Sequence, residues 1–369
     1  MALFTFPRKI YFQRDIIDNL DEILNSENSN NVLIISDKNI MSLHGERIIK
    51  NLKKGYKIFN EVLPEPTVDS IERAFKELGN EKFDTVIAVG GGSVMDFAKS
   101  IAIKISYPDK DLREVNPFET IRLNVKLIAI PTTSGTGSDV SFGIVLTDGE
   151  RKLALGNYEL VPHISILDSS LTPEKKEIIR ATGIDAFVHA FEALSANTAT
   201  IFTDALAEKA IDVIYRNLKG AMENDENAKD LVHLSATMAG MAFSNSGTAL
   251  AHALGHSFGA TFHIVHGTSV GLFLPYVIEF NSSDEMTKMK YKRVERMLQV
   301  DDLVDSIIQL YRELGQPYRV KDLGIKSDEY FSRIDELVLK SIQDSELAFN
   351  PVVVGEEDLR NIYKKAYGD

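Results

Sequence analysis

Short apolar runs and amphipathic stretches take turns along the first part of this chain, and that alternation constrains its fold more than any other feature. Residues 32–36 (VLIIS), 85–89 (TVIAV) and 126–130 (KLIAI) are too short for helices and rich in β-branched side chains. Between them, Val68–Leu78 (VDSIERAFKEL) and residues 94–105 repeat their apolar positions at helical spacing. Strands joined by crossover helices build a parallel sheet. A hairpin is expected at 142–146 and 152–155 around the turn TDGE, and a last strand at 163–167. Pro173 then marks a helix start. From there the pattern is helical, through 174–194, 202–218 and 228–243 into a histidine-rich region and further helices. The expectation is an α/β domain over residues 1–168 and an all-α domain over 169–369.

A chain of 369 residues suits two cores. Its net charge of −13 argues against a nucleic-acid partner, which needs a basic face. No apolar run is long enough to span a membrane. The opening MALFTFPRKIYF places a proline and two bases where a signal peptide needs its apolar core, so a cytoplasmic protein is expected. There is no cysteine, so a transition metal would have to be held by His, Asp or Glu.

Glycine-rich loops follow two of the strands. In AVGGGSVMDFAK, Gly90, Gly91, Gly92 and Ser93 stand between strand and helix, where backbone can approach a pyrophosphate and helix-start N–H groups are free. A tight turn often uses one glycine; three in a row favour the phosphate. The pattern is neither GxGxxG nor a Walker sequence. PTTSGTGSDVS, residues 131–141, offers hydroxyls and little bulk after the next strand. Two such loops at the carboxyl ends of strands in one sheet fit a nucleotide crevice. Asp37, just past VLIIS, could accept hydrogen bonds from an adenosine ribose and would repel a 2′-phosphate. A helix N-cap would look the same in sequence.

Four of the eight histidines, His252, His256, His263 and His266, lie in AHALGHSFGATFHIVHG. His252 and His256 are four apart on one helix face, as are Asp185 and His189 in ATGIDAFVHAFEAL. Such pairs can be plain surface pairing. These sit among alanine, isoleucine, valine and phenylalanine, where uncompensated polar groups are costly and a divalent ion is one compensation. A carboxylate with imidazoles suits Zn²⁺ or Fe²⁺. Spacing does not say which histidine stays off the metal.

From LIISDKN through GGGSVMDFAK, IPTTSGTGSDVS and ATGIDAFVHAFEA to GMAFSNSGTALAHALGHSFGATFHIVHG, the chain resembles the iron-containing, or group III, alcohol dehydrogenases. The resemblance implies a Rossmann-like N-terminal domain, a helical C-terminal domain and metal-dependent, NAD(P)-linked interconversion of a small alcohol and its aldehyde. It implies Asp185, His189, His252 and His266 as metal ligands and places His256 near substrate and nicotinamide as the catalytic histidine. Gly91, Gly92 and Ser93 fall on the pyrophosphate loop, Thr132, Thr133 and Thr136 on the second cofactor loop, and Lys152 on a cofactor-contacting lysine. Asp37 matches an aspartate associated with NAD, so NAD is expected before NADP. One divalent metal is implied, Fe²⁺ first and Zn²⁺ second, in a homo-oligomer. His263 falls outside the site.

The chain departs from that pattern at Gln13, in place of a glycine in a first hairpin, and at Asp139, in place of glutamate. Glu65 stands in LPEPT where PNPT is commoner, and NPV stands for NPR near the C-terminus. These departures bear on substrate rather than on reaction. A glycerol dehydrogenase-like polyol oxidoreductase is the alternative within the same chemistry. A dehydroquinate synthase-like lyase would need bases for its anionic substrate, and residues 182–195 and 249–271 contain no Lys or Arg.

Overall fold

The computed structural model describes residues 3–50, 52–149 and 151–368. The chain forms two compact units, Met1–Pro173 and Glu174–Asp369.

In the first unit β1 (Lys9–Phe12), β2 (Asn31–Ile35), β3 (Gly55–Phe59), β4 (Thr85–Gly90), β5 (Lys126–Pro131) and β8 (Ile164–Leu167) form one parallel sheet, ordered β1-β8-β5-β4-β2-β3. The antiparallel pair β6 (Gly143–Asp148) and β7 (Arg151–Gly156) is separate; Glu150 of its turn lies outside the described residues. Helices α1 (Leu20–Ser26), α2 (Lys38–Ile49), α3 (Val68–Leu78) and α4 (Gly92–Ser106) complete the unit.

The central strands look continuously apolar because both sheet faces are covered. Leu33, Ile35, Val86, Ala88, Leu127 and Ala129 enter one core, and Val32, Ile34, Ile87, Val89, Ile128 and Ile130 the other. The edge strands β1 and β3 are only half-buried, so KIYF and GYKIF carry too weak a pattern to be foreseen. β1 pairs parallel with β8, so Gln13 lies in no hairpin; its N–H donates to Leu167 O at 3.2 Å as the chain turns away. β2 is flanked by β3 and β4, so the connections reverse direction between β2 and β4. That is the switch point at which ligands sit beyond the carboxyl ends of parallel strands.

The second unit is helical: α5 (Lys176–Ser195), α6 (Ile201–Met222), α7 (Glu226–Ser246), α8 (Leu250–Phe262), α9 (His266–Asn281), α10 (Glu285–Leu298), α11 (Leu303–Leu314), α12 (Ser327–Ser332), α13 (Ile334–Ile342) and α14 (Glu356–Tyr367). Residues 183–195 of α5 are buried on every side, which makes α5 the axis of this unit. No helix among the described residues is long and apolar enough to cross a membrane.

Close helix contact brings the polar residues of α5, α8 and α9 together. A Cβ on Gly267 would stand 1.8 Å from Ala181 O, so only glycine lets the start of α9 rest on α5. His263 ends α8 in the left-handed conformation (φ 56°) and turns the chain into α9. Its place is structural.

Candidate functional site

Asp185 and His189, one turn apart on α5, meet His252 from the first turn of α8; one ligand atom from each lies within 4.8 Å of the others. Asp185 Oδ1 is 3.8 Å from His189 Nε2, 3.7 Å from His252 Nε2 and 3.2 Å from His266 Nε2 at the start of α9. Asp185, His189 and His252 are buried, whereas the His266 side chain is 46% exposed and forms the outer wall. The His189 ring stacks on Phe243 and on His252, with centroids 4.3 and 4.6 Å apart.

Asp185 Oδ1, His189 Nδ1 and His252 Nε2 are buried without a hydrogen-bond partner. Orphaned polar atoms in an apolar interior are costly, and a carboxylate facing imidazole nitrogens is the donor set of a divalent transition metal. The residues fit such an ion. Burial works against the Asp185 carboxylate, yet His189, His266 and His252 hold its pKa well below the usual range. Burial pushes His189 down to about 4. In His252 burial is overridden by Glu192 and Asp185, which raise the ring to about 10.

Glu192, one turn beyond His189, explains that override. Its Oε2 lies 2.5 Å from His252 Nδ1, while Oε1 accepts the N–H groups of Ala251 and His252 at 2.6 and 3.2 Å. His256 lies one turn beyond His252, its ring 5.3 Å from that of His266, and its Nδ1 is 2.9 Å from Asp344 Oδ2. Desolvation lowers the His256 pKa, and the neighbouring imidazoles add to this against the pull of Asp344.

In the first unit three expected features leave the carboxyl ends of adjacent strands: Asp37 after β2, the triple-glycine loop after β4, and the threonine loop after β5. Gly91 occupies the N-cap of α4 and no side chain caps that helix, whereas Thr67 and Ser70 form a capping box on α3. The uncapped N–H groups suit an anion. A Cβ on Gly92 would come within 3.1 Å of Thr136 Cγ2, and one on Gly91 within 3.5 Å of Thr133, so the two loops face each other across space that side chains would fill. The bare backbone there is the cradle a pyrophosphate needs. Thr132 is buried, its N–H on Gly90 O at 3.0 Å. Ser93 lies beside Glu65, whose carboxylate holds Lys152 Nζ at 2.7 Å. Asp37 Oδ1 caps α2 through Asn39 N and Ile40 N at 2.8 and 3.0 Å, so capping is one role of this aspartate.

Residues 7–169 match the family described as iron-containing alcohol dehydrogenase, and residues 179–367 match the Fe-containing alcohol dehydrogenase family, C-terminal. The chain belongs to the iron-containing alcohol dehydrogenase family. It is 35% identical over 353 residues to an alcohol dehydrogenase of Thermococcus barophilus, covering 92% of each chain. An NADPH-dependent butanol dehydrogenase of Clostridium saccharobutylicum is 32% identical over 387 residues, covering 100% of this chain and 98% of that one. The solved iron-containing alcohol dehydrogenase of Thermococcus thioreducens superposes with a TM-score of 0.91 at 32% identity, each chain covered in full. As a member of the iron-containing alcohol dehydrogenases the chain is an oxidoreductase of NAD(P)-linked alcohol–aldehyde interconversion.

Sequence reasoning missed four residues that an iron-containing alcohol dehydrogenase reading makes relevant. Glu192 was visible as a second acid in an apolar helix. Asp344 was not, because 88 residues separate it from His256. Lys99 and Asp96 are one turn apart on α4. The buried Lys99 ammonium donates to Ser138 Oγ, Ser141 O and Gly143 O at 3.1, 2.8 and 2.9 Å, and Asp96 accepts from Ser138 Oγ and Val145 N. Burial lowers Lys99 to about 8 and raises Asp96. Together they fix the threonine loop to α4. Their signal was DFAK inside an otherwise apolar helix.

Proposed function

We propose that Asp185, His189, His252 and His266 hold one divalent ion, Fe²⁺ before Zn²⁺, and that NAD is the cofactor. The observation that carries the metal assignment is the set of buried, partnerless atoms on Asp185, His189 and His252. A bound ion supplies a Lewis acid for an alcohol or aldehyde oxygen. His256 exchanges the alcohol proton with solvent, its Nδ1 held by Asp344 and its exposed edge left for the transfer. Glu192 keeps the His252 proton on Nδ1 and so leaves Nε2 as a lone-pair donor.

Gly91, Gly92 and Ser93 take the pyrophosphate on the N-terminus of α4, and Thr132, Thr133 and Thr136 form the facing wall. Lys152 reaches the cofactor once released from Glu65. Asp37 favours NAD, because its carboxylate would repel a 2′-phosphate even while it caps α2. In this it differs from the NADPH-dependent clostridial relative. Small neutral alcohols and aldehydes are the substrates, in keeping with relatives named butanol dehydrogenase and lactaldehyde reductase. A homo-oligomer is proposed on the edge strand β1, where Phe12 is 63% exposed beside an open sheet edge. The deciding experiment strips the protein of metal, reloads it with Fe²⁺, Zn²⁺, Mn²⁺ or Ni²⁺, and screens alcohols and aldehydes with NAD(H) and NADP(H). An active protein that binds no metal, or that works only with NADP(H), overturns the corresponding assignment.

A further inference from the structure

One carboxyl group beside the histidine cluster has no part in the reading above. The segment 344–350 packs against α8 and is fixed along its length. Asp344 takes His256 Nδ1 on one oxygen and Glu346 N on the other, both at 2.9 Å. Asn350 exchanges two side-chain hydrogen bonds with Asn281, at 2.8 and 3.0 Å, and Asn197 binds Ala348 O and Phe349 O. Glu346 is thereby held in place. Its Oε2 accepts the Thr248 hydroxyl, four residues before His252. Its Oε1 accepts no hydrogen bond from any described residue. Through Thr248 at the entry to α8 and through Asp344, which binds both Glu346 N and His256, the Glu346 carboxyl is anchored beside the helix that carries His252 and His256.

We propose that Glu346 is a specificity-determining residue whose free Oε1 receives a hydroxyl on the substrate's carbon chain, so that diols and hydroxyaldehydes are preferred to plain alcohols and aldehydes. The inference rests on the dehydrogenase site proposed above. A carboxyl oxygen accepts from a hydroxyl in either protonation state, through its lone pairs. A bare alkyl chain pressed against it would strip its water and return nothing, and a site built for a hydroxyl rejects analogues that lack one. An anionic tail is disfavoured, because residues 182–195, 249–271 and 344–355 contain no Lys or Arg. An ammonium tail would face a divalent cation. The neutral hydroxyl is what remains.

The test uses the full chain loaded with one divalent metal and assayed with NAD and with NADP on propane-1,2-diol and propan-1-ol. Wild type is expected to favour the diol in kcat/KM by about tenfold or more. Glu346→Leu should lose most of that preference. Glu346→Gln, whose amide oxygen still accepts, should keep most of it. Elemental analysis of each variant is expected to give wild-type metal content. An unchanged diol-to-propanol ratio in Glu346→Leu overturns the inference, as does a wild type that prefers propan-1-ol. Loss of metal from Glu346→Leu also overturns it, by assigning the residue to the metal centre. Metal-loaded wild type that oxidises no alcohol at all sinks the dehydrogenase site itself, a result distinct from the others.

Discussion

Glu192 Oε2 lies 2.5 Å from His252 Nδ1, and the other oxygen of the same carboxylate accepts two backbone N–H groups at the start of α8. One side chain thus sets both the ring orientation and the helix that carries it. Groups that orient metal-bound histidines typically contribute 10–100-fold in metal affinity. Glu192→Gln should therefore weaken metal binding by about that factor in a chelator competition, with the fold intact by circular dichroism. Glu192→Ala should also lower the thermal midpoint, because it strands two buried N–H donors. Wild-type metal affinity in Glu192→Gln would show that the contact does not serve the centre.

The histidines of α8 and α9 divide by geometry, and single alanines should separate them. His252→Ala and His266→Ala should lower bound metal together with activity, and the exposed His266 should be the milder of the two. His256→Ala should keep its metal and lose roughly 10²–10⁴-fold in rate, as for a removed general acid–base group. His263→Gly should retain metal and rate and gain up to about 1 kcal/mol of stability, since glycine fits the left-handed position better. Elemental analysis beside steady-state kinetics and melting checks all four. Metal retained by His266→Ala and lost by His256→Ala would reverse the assignment.

How far these arrangements were legible depends on the range of the interactions. The sheet was readable because β2, β4 and β5 bury both faces and leave unbroken apolar runs, and Val68–Leu78 because one face alone is apolar. Asp185 and His189 announced themselves as neighbours by helical spacing, but nothing local tied them to His252, whose helix start is held to α5 by Glu192, 59 and 60 residues from the two N–H groups it accepts. Asp344 and Glu346 were invisible for the same reason: their partners His256 and Thr248 lie 88 and 98 residues away. The Glu65 departure was visible in sequence, while its cost needed the backbone angle.

That angle is a left-handed φ of 54°, which asparagine tolerates and glutamate resists. The Glu65 carboxylate is engaged with Lys152 at 2.7 Å, both side chains well exposed. An exposed pair of this kind is worth little to stability, so its main effect is to occupy the lysine. Glu65→Asn should not lower the melting midpoint and should reduce the KM for NAD several-fold. In a Lys152→Ala background the same substitution should leave the KM for NAD where Lys152→Ala alone puts it. A KM that falls equally in both backgrounds would rule out Lys152 as the route.

Stability should also depend on pH through His163, which joins β5 to β8 at the entry to the last strand. Its N–H donates to Leu127 O at 2.8 Å and its Nδ1 accepts from Leu127 N at 3.1 Å. Burial lowers its pKa, against Glu159, and the neutral ring is the form that can accept. In the unfolded chain the ring titrates near its ordinary value of about 6.5. The folded state therefore binds fewer protons than the unfolded state as pH falls through that value. The contribution of His163 is full above about pH 6.5 and declines as pH falls toward the lowered folded value. His163→Asn retains an acceptor at the Nδ1 position and removes the titration. Urea midpoints at pH 7.5 and 5.5 should fall less between the two values in the variant than in wild type. Other acid-sensitive groups act on both proteins and cancel in that difference, so equal falls would show that His163 contributes nothing to acid lability.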